Sequence, residues 1–259
     1  MESFLLQLNS VIPGLVENMS AGLVVFARMI GFTRFAPVLN RKEIPSLVKI
    51  GLAFLMTIVF MMILHPKGLP EHGDLLLAII LNIAVGAMIG YMAQLIIAAV
   101  EAGGDMINMQ MGLSSAMVLD PTTSSQVSLL GRYFSVLSIV IFLKIGGAYW
   151  LFQAFERSFD IFPIYATSVP LAKLVNMDYL ISMSSNVLYI GLQIASPVLL
   201  ATLGQDIILG VISKTAPQVN VFQLSFLFKP VFGAAILIWI LPMLVNVIND
   251  YFMSFSRIF

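Results

Sequence analysis

The chain alternates between long apolar runs and short clusters of Pro, Gly and charged residues. A hydrocarbon core about 30 Å thick is crossed by roughly 20 residues of α-helix. About six runs reach that length: 11–35, 47–64, 75–100, 129–155, 179–203 and 231–247. Their ends fall at punctuation such as Pro37, the His65–Pro66 pair and the Gly103–Gly104 pair. Strand-like alternation is missing over these lengths, which argues against a transmembrane β-barrel. The pattern predicts an all-α membrane protein with about six long hydrophobic helices, forming one membrane domain over residues 1–259.

Polar residues inside the runs change that picture. Arg28 and Arg34 lie in the first, Lys49 in the second, Asn82 and Gln94 in the third, Lys144 in the fourth, and Asn186 and Gln193 in the fifth. A charge at bilayer mid-depth costs roughly 2.5–3.5 kcal/mol even on lenient insertion scales, so these groups are expected to face protein or water. Pro197 and Pro242 each remove a backbone donor that something nearby must replace. The Gly86–Gly90 pair has the small-xxx-small spacing that lets a second helix backbone approach. Several helices are therefore expected to be broken or to form hairpins, and to be buried against other helices.

Composition agrees, because 59% of the 259 residues are hydrophobic and 10% are charged. A soluble domain carries about a quarter charged residues. Net charge is zero, from 13 basic and 13 acidic side chains, which gives no reason to expect a nucleic-acid partner. Cysteine is absent, removing disulfides and thiolate chemistry. The start, MESFLLQLNS, is acidic and amphipathic and does not read as a signal peptide. The distribution of Lys and Arg between connections weakly favours an outside N-terminus.

Two connections are unusual. Residues 101–128 are too apolar for a solvated turn and too rich in Gly, Ser and Thr for a stable spanning helix, so they read as a candidate pore loop or plug. Glu101, Gly103, Gly104 and Asp105 appear as a break in the preceding helix. Met106, Met109, Met111, Leu113 and Met117 follow. Flexible thioethers suit a seal that must yield, and they equally suit the filling of an irregular core. Asp120 and Pro121 read as a capped helix start. Residues 204–230 contain an apolar stretch too short to span and a polar, Pro-containing turn, which reads as a helical hairpin tip carrying Lys214 and Lys229.

No phosphate loop, zinc-protease or nucleophile-elbow motif is present, and His65 and His72 lack further ligands, so neither catalysis nor a cofactor or metal is expected. The segments GGDMINMQMGLSSAMVLDPTTSSQ, Gly204-Gln205-Asp206, KTAPQVNVF and Phe228-Lys229 resemble the FliR family of flagellar biosynthetic proteins and their counterparts in virulence type III secretion. So do Arg28, Arg34, Ala36-Pro37, Ile44-Pro45 and Lys49-Ile50-Gly51; Ser124 departs from the Gly common there.

The resemblance implies a core subunit of an export gate in the bacterial inner membrane, at the flagellar basal body. Its implied partners are FliP-like and FliQ-like subunits in a hetero-oligomeric helical assembly, an FlhB-like switch protein, and unfolded export substrates. It also implies that Gly103, Gly104, Met106, Met109, Met111, Leu113, Met117, Asp120 and Pro121 belong to a channel plug. Arg28, Arg34, Lys49, Gln94, Glu101, Lys144, Lys214 and Lys229 are the polar groups expected to be buried on assembly. Competing readings are a virulence counterpart, a structural scaffold, and a secondary transporter, although no internal repeat supports the last.

Overall fold

The computed structural model describes residues 15–41, 43–64, 75–113, 128–165 and 177–256. Seven α-helices occupy them: α1 Leu15–Phe35, α2 Ser46–Leu64, α3 Leu75–Gln110, α4 Leu129–Lys144, α5 Gly147–Ile161, α6 Met177–Thr215 and α7 Val221–Ser256. No strand occurs among the described residues. The protein is an all-α membrane protein: α2, α3, α6 and α7 are long and apolar enough to cross a bilayer, and α4 with α5 counts as a fifth span only if taken together.

The apolar run at 129–155 is broken where Gly146 takes φ 82, with its N–H bonded to the Leu143 carbonyl. Glycine enters that left-handed conformation without the Cβ penalty, and the helix stops. The run predicted to begin at 231 is longer than expected, since α7 starts at Val221 with Asn220 as its N-cap; the Asn220 Oδ1 accepts from the Gln223 N–H at 3.2 Å. Pro197 sits inside α6. Its missing N–H would have served the Gln193 carbonyl, which instead accepts from the Ser196 hydroxyl at 2.9 Å.

Two compact units can be separated. The first comprises α1, α2, α3 as far as Gln94, and α5 from Ala148; the second comprises α3 from Leu95, α4, α6 from Ser182, and α7.

In the first unit α1 and α3 meet backbone to backbone. A Cβ on Gly86 would collide with the Arg28 carbonyl oxygen, one on Gly31 with the Ile83 carbonyl oxygen, and one on Gly90 would lie 2.7 Å from the Phe32 oxygen. The Gly86–Gly90 spacing thus does what its pattern predicted, with Gly31 as the reciprocal contact. Phe32, Phe60, Phe155 and Phe159 pack edge-on or tilted between α1, α2 and α5, with centroids 4.9–5.4 Å apart for the three closest pairs.

That close approach buries Arg28 completely. Its Nε and Nη2 donate to the Asn82 Oδ1 at 2.8 and 2.6 Å, its Nη1 to the Ser158 hydroxyl at 3.0 Å, and its Nη2 also to the Phe162 carbonyl at 2.7 Å. Each acceptor is neutral. Compensation for the charge comes from two further sources: the guanidinium carbon lies 4.0 Å from the Phe159 ring centroid, and the group sits beside the C-terminal end of α5, where the helix dipole is negative. Asn82 in turn donates to the Ala78 and Ile164 carbonyls. One arginine therefore fastens α1, α3, α5 and the segment after α5.

Candidate functional site

The predicted plug divides at the level of local structure. Residues 101–110, expected to leave the helix, continue α3 without interruption. Gly103 and Gly104 are buried contact points inside α3, where sequence reasoning had placed a break. A Cβ on Gly103 would lie 3.0 Å from the Gly191 carbonyl of α6, and one on Gly104 would lie 2.7 Å from the Leu130 carbonyl of α4. Low helix propensity is outweighed here by tertiary contact, which only the absence of side chains permits.

The true stop is Gly112, with φ 72. Its N–H donates to the Met109 carbonyl at 3.0 Å and the Leu113 N–H to the Asn108 carbonyl at 3.2 Å. This is the paired Schellman termination, which needs a left-handed residue just beyond the helix. The buried Asn108 side chain accepts from the Leu130 N–H of α4 at 3.4 Å, while Ser128 caps the same helix by accepting from the Gly131 N–H at 2.9 Å. The end of α3 and the start of α4 are thus joined by polar groups that satisfy otherwise orphaned amides.

The thioethers of this segment occupy different environments. Met109 is 71% exposed, Met106 is half-buried, and Met111 is 2% exposed, lying against Gly233 of α7. Leu113 is half-buried. Met117, Asp120 and Pro121 lie outside the described residues, as do His65, His72 and the rest of the connection from 114 to 127.

The segment 204–230 forms two helix arms joined by the turn 216–220. Lys229 pairs with Asp206 across the arms, its Nζ 2.7 Å from Oδ1 and 3.0 Å from Oδ2. Sequence reasoning singled out Lys229 and missed its partner. The clue was positional, because the two residues stand at nearly equal distances on either side of the turn. Lys214 is exposed in the last turn of α6, where a cation meets the negative end of the helix.

Of the polar groups expected to be buried on assembly, Arg28 alone is buried by the described residues of its own chain. Lys49, Gln94, Glu101 and Lys229 are half-buried, and Arg34, Lys144 and Lys214 are exposed. Arg34 is held by the Asn40 Oδ1 at 3.1 Å. Apolar faces are bare as well: within the spanning windows of α2 and α7, 17% and 22% of residues are buried. Ser158, Asn108, Gly131 and Gly233 gave no warning in the sequence, since a single small or polar residue in an apolar helix carries no periodic signal.

The model of the family described as "Bacterial export proteins, family 1" matches residues 19–255, nearly the whole of this architecture. The chain belongs to that export-protein family. Within the family it is similar to the flagellar biosynthetic protein FliR of Bacillus subtilis (strain 168), at 28% identity over 240 residues covering 92% of each chain. It is also similar to FliR of Escherichia coli (strain K12), at 27% over 219 residues covering 84% of this chain and 82% of the relative. The surface presentation of antigens protein SpaR of Shigella flexneri is 27% identical over 209 residues, covering 79% and 78%. For this export protein the match therefore includes both units and both unusual connections, from the Arg28 cluster to the end of α7.

Proposed function

We propose that the protein is a core subunit of the flagellar type III export gate. In this reading it assembles with FliP-like and FliQ-like subunits, beside an FlhB-like switch protein, into the channel that passes unfolded flagellar proteins across the bacterial inner membrane. It is a passive gated conduit, and the driving energy is supplied by other components. The end of α3 carries the reading: Met109 is 71% exposed on a helix end that Gly103, Gly104 and Met111 fasten to α6, α4 and α7. A flexible thioether held out from a fixed support has the chemistry of a compliant seal. The plug in this reading spans residues 103–121 and begins at that support.

The exposed Asn186 and Gln193, which lie inside the candidate span Ile181–Thr215, support a multi-subunit setting, because polar side chains at lipid-facing positions of a span are costly. Purification in mild detergent is expected to bring down several different small membrane proteins. A well-behaved monomer that retains none of them would defeat the subunit assignment. Shortening residues 106–117 is expected to make the closed complex leak ions or small molecules. Unchanged permeability in an assembled complex would remove the plug from the proposal. Cysteine at Met109 or Leu113 is expected to crosslink to a stalled substrate, and failure at every loop position would favour a scaffold.

The Shigella relative motivates a second reading, a virulence secretion counterpart. Deleting the gene separates the two: loss of flagella supports the first, whereas loss of another secreted set with intact flagella supports the second.

A further inference from the structure

We infer that Gly233 is a positioning residue: the side chain it lacks leaves the socket that receives Met111, and that socket sets the direction in which the end of α3 presents Met109. The inference rests on the plug reading for its functional consequence, although the socket itself stands on geometry.

Met109 and Met111 are two residues apart, about 200° around a helix, so one faces outward while the other faces the packed interior. Their exposures, 71% and 2%, match that division. Met111 is also the last residue before Gly112 turns the chain out of α3, and its N–H closes on the Ile107 carbonyl at 2.9 Å. Its side chain is therefore the final tertiary anchor of the helix before the Schellman turn.

Glycine inside a helix costs about 1 kcal/mol relative to alanine, so its use in α7 needs a reason. Gly22, Gly51, Gly204 and Gly210 have open space where a Cβ would go. At Gly233 a Cβ would lie 2.5 Å from the Met111 Cγ, 3.0 Å from its Sδ and 3.1 Å from its Cε. The nearest atom is in the stem of the side chain. Bending the flexible tip does not relieve that collision; the Met111 χ1 must change, and at 2% exposure the surrounding residues leave little space for another rotamer. An alanine at 233 thus pushes on the terminus of α3, shifting Met109 and Leu113 with it.

The test uses the assembled complex. Gly233→Ala is expected to raise ion leakage through the closed complex several-fold; Met111→Ala, which removes the anchor from the other side, is expected to do the same, and the double variant to leak no more than either single one, because both changes break one contact. Leakage is compared between complexes of equal assembly yield, so that a rise reports the position of the α3 end and not a loss of folded protein. A sealed Gly233→Ala complex, or a double variant whose leakage is the sum of the two single variants', overturns the inference. Should Gly233→Ala fail to assemble, the pair Met111→Cys with Gly233→Cys decides the geometry. The chain has no cysteine of its own, so an intramolecular disulfide is expected on mild oxidation; its absence in assembled complex overturns the socket. Shortening 106–117 in parallel keeps the two proposals apart. A leak there with a sealed Gly233→Ala complex defeats the socket alone, whereas no leak in the deletion defeats the plug reading and leaves the disulfide to judge the socket.

Discussion

Replacing Arg28 with alanine is expected to destabilise the first unit by about 2–5 kcal/mol, the range for truncating a large, fully buried side chain. The loss has three parts. The Asn82 Oδ1, the Ser158 hydroxyl and the Phe162 carbonyl lose the donors the guanidinium supplied. Unpaired buried acceptors cost about 1–3 kcal/mol each when no water reaches them, and the side-chain volume is lost as well. The contact with the Phe159 face, at 4.0 Å, disappears too.

Lysine is expected to recover only part of this. It keeps the charge but offers a point donor in place of a planar fork, and it cannot donate twice to Asn82 while also reaching Ser158 and stacking on Phe159. Thermal unfolding in mild detergent should therefore order the variants as wild type, Arg28→Lys, then Arg28→Ala. Removing Arg28 and Asn82 together, as Arg28→Met with Asn82→Leu, is expected to cost less than the sum of the single changes, with a coupling of about 0.5–3 kcal/mol. Strict additivity, or an Arg28→Ala protein as stable as wild type, would show that the cluster does not organise the unit.

The same cluster shows how far the sequence can be read. Arg28 and Asn82 in apolar runs were enough to predict sheltered polar groups, because the cost of burying them in hydrocarbon is independent of the fold. Ser158 could not be assigned to Arg28, since 130 residues separate them and serine is unremarkable in a helix. Pro197 announced a missing donor correctly, and the compensating hydroxyl was its immediate neighbour, Ser196.

Glycine was the harder residue, since one residue type serves opposite ends. Gly103–Gly104 looked like a helix break and proved to be a packing contact; Gly112 and Gly146 are the residues at which helices end. Propensity alone cannot distinguish these cases, as the deciding atoms belong to α4 and α6. Arg34, Lys144 and Lys214, for which the sequence demanded shelter, stand exposed among the described residues, each in the last turn of its helix, where the negative end of the dipole favours a cation.

Gly86→Ala is expected to disrupt the first unit despite adding a single methyl group. The new Cβ would collide with the Arg28 carbonyl oxygen, with the Arg28 carbonyl carbon 2.8 Å away and the Phe32 nitrogen 2.9 Å away. All three are backbone atoms, so no rotamer change relieves the clash; α1 and α3 must separate. Separation strains the hydrogen bonds between Arg28 and Asn82, because those residues stand on the same two helices. The cost is expected at or above the upper end of the roughly 1–3 kcal/mol typical of overpacking. Gly31→Ala, whose Cβ would meet the Ile83 carbonyl oxygen, is expected to behave alike. Gly22→Ala and Gly51→Ala are the controls: nothing lies within 4 Å of either new methyl group, and each should gain up to about 1 kcal/mol from helix propensity. Four single methyl additions, two in α1, one in α2 and one in α3, are thus expected to split by sign in a thermal-unfolding series. Equal effects across the four would mean that direct backbone contact between α1 and α3 is not what holds this unit together.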